Sequence, residues 1–306
     1  RSSLVGSEMC IRDRIKCFAL TVKLKKLKNT CSILYKIMSI PVIGVPVTNS
    51  TFWVSRLLTS IDYPVDEVFI VNNNGRGELD EDLAKLASLK YKYIKKVKVA
   101  NLPGNLGVSG AWNLIIKCYV MAPYWIICND DVSFCPGFLE EMMNTANSDP
   151  MIGMVHGNKG DYGVGSWDLF LIKESIVRQF GLFDENLYPA YCEDADMIMR
   201  FIHRPIKKVI ELESQYYHGF GKKDEYYTHG SQTKKTEPEL AEKLERSNVL
   251  NIDYLTEKWG ANWRVQGPTY LPWEGDSMET NPNGDARRVS STTFDLDFIR
   301  SKHLGF

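Results

Sequence analysis

From Ile40 onward, short apolar runs alternate with amphipathic stretches, and the punctuation between them is regular. Val42-Ile43-Gly44-Val45-Pro46-Val47 is apolar without alternation, the pattern of a strand buried on both faces. The polar trio Thr48-Asn49-Ser50 suits the cap of a helix over 51–60. Residues 67–71 predict a second strand, closed by the turn signal Asn72-Asn73-Asn74-Gly75. A helix over 78–90, a strand over 96–100, a helix over 108–120 and a strand over 124–128 follow. Strands that alternate with helices in this way predict an α/β fold, a mostly parallel sheet with helices on both faces.

Past 128 the spacing is less regular. It predicts helices over 136–147, 174–180, 194–203 and 237–259, and strands over 152–156, 167–172, 208–212 and 216–218. Residues 274–293 are rich in Asn, Gly, Ser and Thr and read as loop or tail. At the other end, residues 1–14 resemble translated adapter sequence, and 15–37 carry six lysines and no acid. The expected organisation is an artefactual or flexible leader over 1–37, with Met38 as the natural start. A single domain over 38–265 and a tail or lid over 266–306 complete it.

Composition narrows the class. Apolar residues make up 44% and charged residues 25%, ordinary for a globular enzyme. A formal net charge of −1 supplies no bulk attraction to nucleic acid, so none is expected as a partner. The seven cysteines form no C-x-x-C pair, which disfavours a zinc site and favours a reducing, cytoplasmic compartment, free or peripheral to a membrane. No apolar run reaches the roughly 18 residues of a membrane span.

The chemistry concentrates in two acidic clusters. Asn129-Asp130-Asp131 follows the apolar run 124–128, and Glu193-Asp194-Ala195-Asp196 follows Tyr191-Cys192. Unpaired buried charge is costly, so carboxylates at a strand end argue for a task. One such task is holding a divalent cation at the C-terminal edge of a sheet. The second cluster suits a general base.

The order of these elements resembles the inverting glycosyltransferases of the GT-A fold, family two, over about residues 40–260. Five local matches carry it: the strand end Pro46-Val47-Thr48-Asn49, the Asn72–Asn74 turn, and the segment 103–113 with Asn105, Gly107 and Asn113. The fourth is Asn129-Asp130-Asp131, similar to a D-x-D motif with Asn for its first acid. The fifth is residues 180–200, similar to the G-x-F-D-E…E-D-x-D-x-x-x-R segment. Lys258-Trp259-Gly260 resembles the close of such domains.

The resemblance implies transfer of a sugar from a nucleotide-diphosphate donor of UDP, GDP or dTDP type to a hydroxyl of a glycan or other acceptor. It implies donor contacts at Pro46, Val47, Thr48, Asn49, Asn73, Asn105, Gly107, Asn113, Asn129 and Asp130. It implies Mn²⁺ or Mg²⁺ at Asp131 with a late histidine, His229 by preference or His218. Asp194 is the implied base and Glu193 its neighbour on acceptor hydroxyls. Asp196 and Arg200, four apart on a helix, are expected to pair as ions. Two rivals remain: a GT-A-like module that binds glycan or nucleotide without turnover, and a sugar nucleotidyltransferase. The second needs a glycine-rich basic loop after the first strand, which 46–50 is not.

Overall fold

The computed structural model describes residues 39–158, 166–203, 208–219 and 238–261. The expectations for 1–37, for 266–306 and for His229 fall outside these residues.

Seven strands form one sheet in the order β3-β2-β1-β4-β7-β6-β8. In chain order they are β1 (Ile40–Val47), β2 (Val65–Asn72), β3 (Ile94–Asn101), β4 (Tyr124–Cys128), β6 (Ile152–Asn158), β7 (Ser166–Lys173) and β8 (Lys208–Gln215). The short strands β5 (Val132–Ser133) and β9 (Tyr217–His218) pair as a separate ribbon. β7 runs against its neighbours β4 and β6, while every other pairing in the large sheet is parallel. The sheet is therefore mostly parallel, as the alternation predicts.

The helices are α1 (Thr51–Ser60), α2 (Asp80–Ser88), α3 (Gly107–Cys118), α4 (Phe138–Ser148), α5 (Glu174–Phe180), α6 (Glu193–His203) and α7 (Pro238–Trp259). Two buried clusters show that they cover both faces. One joins Ile43 and Val45 to Val54, Leu57, Leu83 and Met142; the other joins Val42 and Phe69 to Trp112, Ile115, Val177 and Met197. Gly44 explains how closely α3 lies on β1, since a Cβ there would come 2.4 Å from the Ile115 side chain. Ser50 is the residue before α1, but its side chain makes no capping bond.

Strand ends are in register on one edge: Val47 pairs with Asn72, and Asn72 with Asn101. The carboxyl ends of β1 to β4 and the amino end of the reversed β7 share that edge. This is where an open α/β sheet offers its loops to a ligand.

α7 docks through a buried polar cluster. Lys258 Nζ lies 2.6 Å from Asp184 and 2.8 Å from Asp196, and all three side chains are inaccessible or nearly so. Trp259 Nε1 donates to Asp196, Tyr254 to Asp184, and Arg200 to the carbonyls of Phe180 and Leu182. The Asp196–Arg200 ion pair expected from spacing is present inside this cluster.

Candidate active site

The loop after β2 organises the loop after β3. Asn73 is buried; its amide donates to Asn105 Oδ1 at 3.1 Å and to the Gly107 carbonyl at 3.2 Å, and its oxygen accepts from Leu106 N–H at 2.7 Å. Asn105 Oδ1 also accepts from Gly107 N–H. Gly107 has φ 73°, and a Cβ on it would sit 2.8 Å from the Pro189 carbonyl. Val108 N–H donates to that same carbonyl at 2.7 Å. Asn73, Asn105 and Gly107 thus brace the segment leading into Glu193-Asp194, with Asn73 committed to the loop. Asn74 donates to the Thr48 carbonyl at 2.8 Å, tying the ends of β1 and β2. Thr48 and Asn49 stay partly exposed beside Pro46 and Val47 on that edge.

Asn113, expected to contact the donor, is hydrogen-bonded to the loop before the second acidic cluster. It is buried, donates to the Phe183 carbonyl and Glu185 Oε1, and accepts from Phe183 N–H. Three hydrogen bonds to one loop make this amide a clamp on it.

The first acidic cluster closes around a histidine. The β5–β9 ribbon pairs Val132 with His218, which sets the imidazole against Asp131. His218 Nε2 is 3.1 Å from Asp131 Oδ1, and Nδ1 is 3.6 Å from Asp168 Oδ2. Asp168 Oδ1 accepts from Asn129 at 3.4 Å, and the Asp168 carbonyl accepts from Asn129 N–H at 2.8 Å. Burial, then the charge of Asp131, pushes the Asp130 carboxyl well above the carboxylate range, while His218 pulls it partway back. Burial also pushes the Cys128 thiol up, with Asp130 and Asp131 adding to it, so Cys128 is a neutral packing group.

Sequence reasoning missed Asp168. The available signal was one acid inside the apolar stretch Trp167–Ile172, where a buried strand has no structural use for it. Of the two histidines left open, His218 is the one beside Asp131 among the described residues, and His229 lies outside them.

The second cluster opens α6. Asp194 is half-buried, and its Oδ1 accepts from Ala195 N–H. Glu193 is buried, and burial followed by the nearby Asp194 charge pushes its carboxyl up to about 8. Its Oε2 has no hydrogen-bond partner. A protonated acid beside a carboxylate is the split that separates proton-holding from proton-taking roles.

Among the described residues no three acidic, histidine or cysteine side chains converge into a complete metal cage. The pair Asp131–His218 still fits two neighbouring positions of an octahedral cation. Ligands at about 2.1 Å and a right angle stand roughly 3 Å apart, and the observed spacing is 3.1 Å.

The family model described as glycosyl transferase family 2 matches residues 43–203, more than half of the chain. The chain belongs to that family. The match begins in β1 and ends with α6, and so spans both acidic clusters. A curated galactofuranosyl glycosyltransferase of Leishmania donovani is 21% identical, aligned over 58% of this chain and 56% of that one. The chain therefore spans about half the length of this relative. Among solved structures, the mannosyltransferase PcManGT from Pyrobaculum calidifontis, in complex with GDP-Man and Mn²⁺, superposes with a TM-score of 0.50 at 14% identity, covering 71% of this chain and 70% of that one. GalNAc-T7 with UDP, GalNAc and Mn²⁺ gives a TM-score of 0.50 at 13% identity, covering 60% and 44%. These likenesses support the GT-A fold.

Proposed function

We propose that the chain is an inverting glycosyltransferase that moves a sugar from a nucleotide-diphosphate donor to an acceptor hydroxyl with the help of a divalent cation. The observation that carries this reading is the pairing of Asp131 with His218 on the same sheet edge that leads to Glu193-Asp194. Family membership and the donors and Mn²⁺ held by PcManGT and GalNAc-T7 support it.

The donor lies across the ends of β1 and β4, along Pro46–Asn49 and Asn129–Asp130. Asp131 and His218 Nε2 would hold Mn²⁺ or Mg²⁺, with the Asp168 carboxylate 3.6 Å from His218 Nδ1 on the far side of the ring. When bound, the cation offsets the negative charge that builds on the departing diphosphate. Asp194 removes the proton from the acceptor hydroxyl, whose oxygen forms the new bond to the anomeric carbon. The bond from that carbon to the diphosphate oxygen breaks, its electrons leave with the nucleoside diphosphate, and attack from the opposite face inverts the configuration. Glu193, neutral near pH 7, donates a hydrogen bond to the acceptor without repelling Asp194.

Calorimetric titration with UDP and GDP, each with and without Mn²⁺, tests the donor half. Asp131→Ala is expected to abolish the Mn²⁺-dependent part, and an unchanged titration refutes the assignment. Release of nucleoside diphosphate from UDP-galactofuranose, UDP-N-acetylglucosamine and GDP-mannose tests turnover. Asp194→Asn should lose roughly 10²–10⁴-fold while nucleotide binding stays near normal. A variant as fast as the parent sinks the base assignment.

A further inference from the structure

We infer that Asn251 of α7 is a positioning residue for the proposed base, acting through the turn that precedes Asp194. The inference rests on the reading of Asp194 just given. It concerns a helix that lies wholly outside the 43–203 family match.

The turn needs holding. Tyr191 and Cys192 both have φ 75°, in the left-handed region, and neither is glycine. Each such residue costs of order 1 kcal/mol and persists only where the surroundings impose it. Glu193 and Asp194 follow at once, so any relaxation of the turn swings both carboxyl groups.

Asn251 supplies the constraint. It is 4% exposed, and its side-chain amide donates to the Ala190 carbonyl and to the Tyr191 carbonyl, both at 2.9 Å. Those two bonds use both amide protons, and they fix the peptide planes on either side of Tyr191. Ser247, one turn earlier, adds a longer bond at 3.4 Å to the Ala190 carbonyl. From the other side, Val108 N–H holds the Pro189 carbonyl. The turn is thus gripped between α3 and α7, and the α7 grip is the one made by side chains.

The position is sensitive because a displacement of about 1 Å in a reacting group costs roughly 10²-fold in rate. The buried cluster around Lys258 anchors α7 independently two turns further on. Loss of Asn251 should therefore loosen the turn without releasing the helix.

The test uses the full chain with Asn251→Ala, alone and combined with Tyr191→Gly and Cys192→Gly. Glycine adopts the left-handed region without the Cβ cost, so it lessens the turn's need for the amide. In Asn251→Ala, hydrolysis of the donor that the parent cleaves fastest should fall roughly 10- to 100-fold. The Mn²⁺-dependent Kd for UDP or GDP should stay within about twofold, which a general loss of structure would not allow. Hydrogen exchange should rise in a peptide covering 188–195 and stay level across β4. The glycine pair should shrink the rate loss. Unchanged exchange in 188–195, or equal losses in rate and nucleotide binding, overturns the inference. If exchange rises while Asp194→Asn keeps parental turnover, the base reading is what fails.

Discussion

Lys258→Met isolates the buried ionic cluster that fastens α7 to the rest of the domain. The lysine side chain is fully inaccessible and lies between Asp184 at 2.6 Å and Asp196 at 2.8 Å. Burial alone would push Asp184 up, but the charge and hydrogen bond of Lys258 outweigh it, with help from Arg200 and Asn186, and hold it down at about 2. An ordinary aspartate titrates near 3.9, so the pairing stabilises the fold on the order of a few kcal/mol. A depressed carboxyl stabilises the fold above its unfolded value, and that contribution is lost as pH falls through about 2.

Methionine keeps the stem and removes the charge, leaving two buried carboxylates to share Arg200. Breaking one side of a buried pair costs about 3–5 kcal/mol. At 2–4 °C per kcal/mol this is a fall of roughly 10 °C in Tm. The assay is urea and thermal unfolding at pH 7, repeated down to pH 4. The variant's stability should rise on acidification from pH 6 to 4, because protonating Asp184 relieves the orphaned charge. Adding Asp184→Asn should recover part of the loss. A Lys258→Met protein within about 1 kcal/mol of the parent would refute the reasoning, since such a value is typical of exposed pairs.

Glu193→Gln tests the raised carboxyl. The parent's contribution from Glu193 is complete below the ordinary glutamate range near 4.3 and is lost as pH rises to about 8. The Gln variant should lack this decline, and parallel Tm-versus-pH curves from 5 to 8 would contradict it. Asn113→Leu orphans the Phe183 backbone groups, at about 3 kcal/mol in urea unfolding, and a cost under about 1 kcal/mol would remove its clamp role. Asp168→Asn should weaken Mn²⁺-supported UDP or GDP binding by roughly 10–100-fold through His218, and an unaltered titration would dismiss Asp168 as a supporting group.

Much of the architecture was legible because it follows from local pattern. Unalternating runs such as Val42–Val47 and Tyr124–Cys128 announced strands buried on both faces, and both are so in the structure. Boundaries widened by a residue or two, as at Val65–Asn72, where buried Val65 and the hydrogen-bonded Asn72 extend the ladder at its two ends. The reversal of β7 was not legible. Direction depends on pairing with β4, and a buried strand reads the same either way.

The sequence by itself determined the α/β alternation, the family, and the two acidic clusters with their places in the chain. Those are properties of short segments: periodicity, turn chemistry and contiguous motifs. Only the tertiary structure decided which residues meet. It set His218 against Asp131 through a two-residue ribbon, and it brought Asp168 in from a reversed strand. It turned Asn73 and Asn113 from free amides into clamps. It also placed Asn251, 60 positions along the chain, on the turn before Asp194. Contacts of that separation arise from packing, and no local pattern encodes them.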